Sequence, residues 1–433
     1  MRSAALRYGL GYLGITLMTQ TVAQWALFFY SPPPDSGRTL YLSPSLAGVM
    51  MAVGQVFNAA ADLPIGYWSD RKPPPRRRPF ILWGTPLMVM SLLLFFAPPL
   101  SYSSHLNLVY ASATLALFFV LFTAVAGPYL ALLPEVARSA AERVSYASAQ
   151  ALASVVGLVL SYVVGPLLAA QLGVWGMALI MGTVTWIVLW ITAHTVPEPL
   201  PQPSQDDPPG LNLMQSVLAT FRNPAFPPFL GAIICFWFGI SMLQAGTNYL
   251  VTVLMRQPVA FSGAVLGGML GAALAAFPLV GWLARRLGKR RALLATMYAL
   301  SLLLPLLYLI GSLPGSPVLQ GMVLLVLAGI PLAGFLILPN AIMADITDLD
   351  ARLTGLRREG MYYSVQGLIT GLAIGLSGLV TGLILEHLGN SLAHPLGIRL
   401  LGPVAGLGIL LGTTLLYLYR EPGPPASGSS SAQ

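Results

Sequence analysis

Apolar residues in this chain neither alternate nor keep to a helical stripe; they run on for twenty positions or more before a polar break. Such runs lie near residues 8–30, 44–69, 80–99, 107–133, 147–171, 173–195, 226–254, 259–284, 292–312, 317–343, 362–385 and 398–419. Most reach the roughly 20 residues that a helix needs to cross a bilayer. The pattern predicts an all-α membrane protein of twelve transmembrane helices. The first run is too long for a signal peptide and lacks a small-residue cleavage site, so it is read as retained.

The longest polar break, "PEPLPQPSQDDPPGLNLMQSVLATFRNPAF" from Pro197, separates six runs from six. The expected organisation is a six-helix bundle over 1–196, a linker over 197–225, a second bundle over 226–420 and a disordered tail over 421–433. Within the linker, Leu211 to Arg222 is moderately amphipathic, suiting either an interfacial or a solvated helix. The halves also resemble each other. "GYWSDRK" with the following "RRR", from Gly66, corresponds to "GWLARRLGKRR" from Gly281, and "SAQAL" from Ser148 corresponds to "SVQGL" from Ser364. Offsets of 215 and 216 argue for duplication, and parallel repeats place a central cavity at their interface and support alternating access.

Composition removes other classes. With 56% hydrophobic and 8% charged residues, the acids and bases are too few to cover a soluble globule of 433 residues. The formal charge of +8 is topological. Nineteen of the 22 bases fall at the termini or after even-numbered runs, and only Arg38, Arg256 and Arg399 fall on the other side. By the positive-inside rule both termini are cytoplasmic, which in a bacterial-type cell means the inner membrane. No aromatics interleave with the basic clusters, which argues against nucleic acid. Cys235 has no disulfide partner and reads as packing. His105, His194, His387 and His394 lack metal-ligand spacing, so no enzyme activity and no cofactor are expected.

Against this background Asp62 stands out. An ionised carboxylate in the bilayer costs roughly 2.5 to 3.5 kcal/mol on insertion scales, and no base lies near it in the sequence. Asp62 must be protonated, balance a bound cation, or be held by a hydrogen bond from another helix. Asn58, one turn earlier, shares its face, and Thr123 on the fourth run could add a hydroxyl. Asp70 and Arg71, in "GYWSDR", end the second helix, where a carboxylate opposes the helix dipole unless neutralised. "ADITDLDARLTGLRREGMYY", from Ala344, gathers Asp345 and Arg358 with other charges at the ends of the tenth and eleventh helices, either as a gate or as a solvated loop. Thr16, Gln20, Gln24 and Trp25 on the first helix and Gln244 and Asn248 on the seventh can form inward polar stripes, joined by Gln150 and Gln366. In lipid such residues also serve as interhelical hydrogen-bond partners.

Four stretches carry a resemblance: "LRYGLGYLGITL" from Leu6, "FNAAADLPIGYWSDRKPPPRRRPFILWGTP" from Phe57, "AGPYLALLPEVARSAAER" from Ala126, and "LPNAIMADITDLDARLTGLRREGMYYSVQ" from Leu338. In order and spacing they resemble the glycoside/pentoside/hexuronide:cation symporters, the major-facilitator branch that includes melibiose permease and the sodium-coupled lysolipid carriers. The resemblance implies the major facilitator fold and cation-coupled symport. It also implies a cation site with two acids on helix two, where Asn58 here takes the first position and Asp62 keeps the second, with Thr123 as the helix-four hydroxyl. The acids and the arginine that hold sugar in the family correspond to Thr16, Ala126 and Gln150, and a helix-eleven lysine corresponds to Gly371.

The expectation is therefore a monomeric secondary transporter that couples a proton or sodium at Asp62 to a small neutral solute such as a glycoside. Loss of the family's substrate-binding charges leaves open a lysolipid or hydrophobic-metabolite carrier, or a scramblase or assembly factor that no longer transports.

Overall fold

The computed structural model describes residues 2–71, 77–137, 139–197, 213–354 and 358–419, and these contain helices and no strand. In chain order the α-helices are α1 (Arg2–Tyr30), α2 (Pro44–Arg71), α3 (Arg78–Phe95), α4 (His105–Val136), α5 (Ala140–Val159), α6 (Gly165–Thr195) and the short α7 (Leu213–Thr220). After these come α8 (Phe226–Tyr249), α9 (Ser262–Leu287), α10 (Lys289–Leu303), α11 (Pro317–Thr354), α12 (Glu359–Leu388) and α13 (Leu396–Leu416).

Among the described residues, ten helical stretches are long and apolar enough to cross a membrane. One of them, Glu142–Thr195, has 54 residues, about 81 Å at 1.5 Å per residue and far beyond a hydrocarbon core of about 30 Å. It is two helices. The chain breaks at Gly173, where φ is +74°, a left-handed conformation that only glycine adopts without strain. Helix α1, at 29 residues, has the length of a span but a lower hydropathy because Thr16, Thr19, Gln20 and Gln24 interrupt it.

Several helices outrun their apolar stretches. The run expected over 147–171 begins as a helix at Ala140, because Ser139 and Glu142 form a reciprocal capping box that satisfies the first backbone N–H groups. Apolar patterning marks the part of a helix that meets lipid, whereas backbone hydrogen bonding continues beyond it.

The halves pack alike. Arg77, entering α3, binds Glu135 at the end of α4 through Nη2 at 2.8 Å. Lys289, opening α10, binds Asp345 near the end of α11 at 2.6 Å. The second pair lies 212 and 210 residues further along, so the duplicated sequence is matched by a duplicated ion pair at equivalent helix ends. A third pair, Arg358 to Asp350 at 2.8 Å, joins α12 to α11 and is almost enclosed. Asn223, between α7 and α8, donates to the Ile346 carbonyl and lies beside this pair in a cavity of about 540 Å³.

Removing one partner of a buried pair leaves the other charge uncompensated, at about 3–5 kcal/mol. Asp350→Ala is therefore expected to lower the melting temperature in detergent micelles clearly below that of Leu353→Ala at an exposed neighbour. Equal melting of the two variants would show that the pair does not stabilise the fold.

Candidate functional site

Helix α2 brings Gln55, Asn58 and Asp62 onto one face through its 3.6-residue period, and α4 presents Thr123 to that face. Thr123 Oγ1 lies 3.0 Å from Asn58 Oδ1 and 3.3 Å from Asp62 Oδ1. Asn58 Nδ2 in turn donates to Gln55 Oε1 at 3.3 Å. Thr123 and Gln55 are buried, Asn58 is half-buried and Asp62 is exposed. Asp62 and the two residues that the sequence grouped with it, Asn58 and Thr123, thus meet, and Gln55 is a fourth member. Among the described residues no cationic side chain pairs with Asp62. The oxygens of Asp62, Asn58 and Thr123 form a hard-oxygen cluster with one carboxylate, suited to a proton or a small cation.

The same face of α2 looks toward α12. A Cβ at Gly371 would sit 3.7 Å from Gln55 Oε1 and 4.0 Å from Asn58 Nδ2. These are ordinary van der Waals distances, so Gly371 places the α12 backbone directly beside the cluster.

A second polar group joins the halves. Tyr162 Oη donates to Gln20 Oε1 at 3.0 Å and accepts from Gln244 Nε2 at 2.8 Å. Asn248 Nδ2 donates to the Gln24 carbonyl at 3.1 Å, and Tyr249 Oη donates to the Ser31 carbonyl. Nearer the far end, Glu386 accepts from the Ser45 backbone N–H at 2.7 Å and Asp35 accepts from that of Leu392. These bonds occupy the middle and the end of the molecule away from the termini.

Other sequence-derived positions are distributed around this group. Thr16 is buried, donating to the Tyr12 carbonyl at 2.9 Å and lying 3.5 Å from Ser154 Oγ. Gln150 and Gln366 are half-buried. Trp25, expected on an inward polar stripe, lies in the core, edge-on to Phe28. Gln24 is also buried, and both its side-chain polar atoms lack a protein partner. Helix α1 carries these side chains into the sealed part of the interface. Asp345 and Arg358 do not bridge the halves, since each has its partner within the second half. The side chains of Asp70 and Arg71 lie outside the described ones.

Residues 7–396 match the family described as MFS/sugar transport protein. The chain belongs to that family. Among relatives, it is 28% identical to the uncharacterized symporter YnaJ of Bacillus subtilis, over 95% of this chain and 88% of that one. It is 25% identical to the isoprimeverose transporter of Lactiplantibacillus pentosus, over 96% and 88%. With the glucuronide carrier protein homolog of Escherichia coli it shares 27% identity over 86% and 83%. The solved nucleoside transporter NupG superposes with a TM-score of 0.69, covering 97% of this chain and all of that one, at 12% identity, which is a likeness of fold. As an MFS/sugar transport protein the chain is a multi-pass membrane transporter for a small molecule, and not an enzyme.

Two residues of the site escaped sequence reasoning. Gln55 lies three residues before Asn58, a spacing that puts both on one face, but it reads as one more amide in an apolar run. Tyr162 gave no periodic signal because it sits in a π-turn, Leu160–Val164, whose wider hydrogen bonding shifts the register of α5.

Proposed function

We propose that this chain is a cation-coupled symporter of a neutral, hydroxylated solute of the glycoside class. The observation that carries the reading is the Asp62 carboxylate, held in a membrane helix with oxygen partners and, among the described residues, without a basic one. A charge so placed is costly unless it serves an ion pathway, and Asn58 and Thr123 supply the oxygens that a proton or sodium would share. The names of the sugar-transporting relatives support the substrate class. So do Thr16, Gln20, Gln24, Gln150, Gln244, Asn248 and Gln366, all neutral hydrogen-bonding side chains.

Alternating access supplies the cycle. Among the described residues the hydrogen bonds between the halves lie in the middle and at the end away from the termini, which supports a state closed at that end. By the positive-inside rule the termini are cytoplasmic, and the closed end faces outward across the inner membrane. Gln24 Nε2 and Oε1 and Asn248 Oδ1 are buried there without a protein partner among the described residues.

The test is uptake by purified protein in liposomes, with sodium and proton gradients imposed separately, across labelled neutral glycosides, glucuronides, nucleosides and lysolipids. Accumulation of a neutral glycoside driven by one gradient supports the proposal and names the ion. Gradient-independent equilibration of every carried solute would reject coupling, and accumulation confined to lysolipids would reject the substrate class.

A further inference from the structure

The bond chain through Tyr162 has a chemical property that holds whenever the phenol donates to one amide and accepts from the other, as it does here. A phenol hydroxyl donates one proton and accepts others, while a carboxamide has a donor end and an acceptor end. When Tyr162 Oη donates to Gln20 Oε1 and accepts from Gln244 Nε2, the ends left over are the Gln20 NH₂ donor and the Gln244 carbonyl acceptor. Turning both amides around leaves an acceptor on Gln20 and a donor on Gln244. Either way the two free ends are complementary, one donating and one accepting.

Geometry gives these ends access to a ligand. Tyr162 is buried, whereas Gln20 and Gln244 are half-buried, so the phenol forms the wall and the amides reach beyond it. They come from α1 and α8, one from each half, at the base of the region sealed by Asn248 and Tyr249. The π-turn positions the phenol: the Gly165 N–H reaches back to the Leu160 carbonyl. Gly263 of α9 packs against the Val163 backbone, where an added Cβ would lie 2.8 Å from the carbonyl oxygen.

Resting on the neutral-solute reading above, we propose that Tyr162 is a specificity-determining residue: by bridging Gln20 and Gln244 it fixes two amides, one per half, as a donor and acceptor pair for the hydroxyls of an uncharged ligand. A hydroxyl both gives and takes a hydrogen bond, so it satisfies such a pair. A carboxylate can only accept and an ammonium can only donate, and each leaves one amide end unmatched. Tyr162 acts through the two glutamines and does not itself need to touch the ligand.

The test measures equilibrium binding to the full chain in lipid nanodiscs, using a panel of neutral disaccharides that includes isoprimeverose. Monodeoxy derivatives of the tightest-binding sugar are then compared for wild type and Tyr162→Phe. The variant keeps the ring and frees both amides to turn. In wild type at least one deoxy derivative is expected to bind tenfold or more weakly than its parent, and in Tyr162→Phe that ratio is expected to fall to within about twofold of one. A structural role alone would weaken parent and deoxy sugars equally and leave the ratio intact, which would overturn the proposal. Should Tyr162→Phe melt early, Gln244→Leu provides the second reading, with the same collapse of the ratio expected. Absence of neutral-sugar binding by wild type would also overturn it, while leaving coupling at Asp62 to be judged by gradient-driven flux.

Discussion

Asp62→Asn is expected to abolish concentrative uptake in proteoliposomes while leaving the protein folded and able to exchange solute across the membrane. The substitution preserves side-chain size and the oxygen that faces Thr123, 3.3 Å away, and removes only the charge. At 100 mV one coupled charge is worth about 2.3 kcal/mol, enough to hold a solute about fifty-fold above equilibrium at about 1.4 kcal/mol per tenfold. Wild type should approach that ratio with the correct ion, and Asp62→Asn should stay at one whichever gradient is imposed. Because Asp62 is exposed and has no basic partner among the described residues, removing its charge strands no buried cation, so little stability should be lost. Retention of fifty-fold accumulation by the variant would place the coupling ion elsewhere. Loss of exchange as well as accumulation would make Asp62 part of the machinery that moves the helices.

What the sequence revealed and what it hid follow one division. Apolar runs report contact with lipid, so the membrane helices were legible. The grouping of Asn58 with Asp62 was legible because one turn of helix fixes which side chains share a face. Thr123 could be offered from the sequence only as an available hydroxyl, which the resemblance then matched to a site position, since nothing local to α4 tells a hydroxyl aimed at another helix from one that bonds back to its own carbonyl. Thr114, on the same helix, does the latter, donating to the Tyr110 carbonyl at 2.8 Å. Tyr162 was hidden for a different reason. A π-turn changes the helical period over a few residues and is encoded by packing across the interface rather than by a residue pattern. Trp25 shows the converse case. It belongs to a stripe with Gln24, but that stripe is enclosed when the far end is closed, and one sequence cannot say which state a face is seen in. The ion pairs were half legible: the charges cluster visibly at helix ends, yet Lys289 with Asp345 and Asp350 with Arg358 are choices among several bases and acids within reach.

The seam between α2 and α12 gives a second large expected effect, on the conformational cycle rather than on the ion. A Cβ at Gly382 would lie 2.2 Å from the Pro44 carbonyl oxygen and 3.1 Å from the Gly48 Cα. Both obstacles are backbone, so no rotamer change relieves them, and a leucine there forces the helices apart by about 1 Å or more to regain ordinary contact. This close approach is at the closed end, beside the bond from Ser45 to Glu386 at 2.7 Å. Gly382→Leu should therefore penalise the state seen here and spare one in which that end is open. In a Cys235→Ala background, cysteines at Asp35 and Leu392, whose own contact joins the halves at that end, report closure through their cross-linking rate. Gly382→Leu is expected to slow cross-linking at least tenfold, a shift of about 1.4 kcal/mol, and to reduce transport in proportion. Gly271→Leu, at a position where an added Cβ meets nothing within 4 Å, should change neither. If Gly382→Leu cross-links and transports as wild type does, the approach of α2 to α12 is not what closes the transporter. If it lowers thermal stability without changing cross-linking, the glycine serves folding alone. A loss of cross-linking with stability retained identifies the seam as the part of the fold that must open for the cycle to turn.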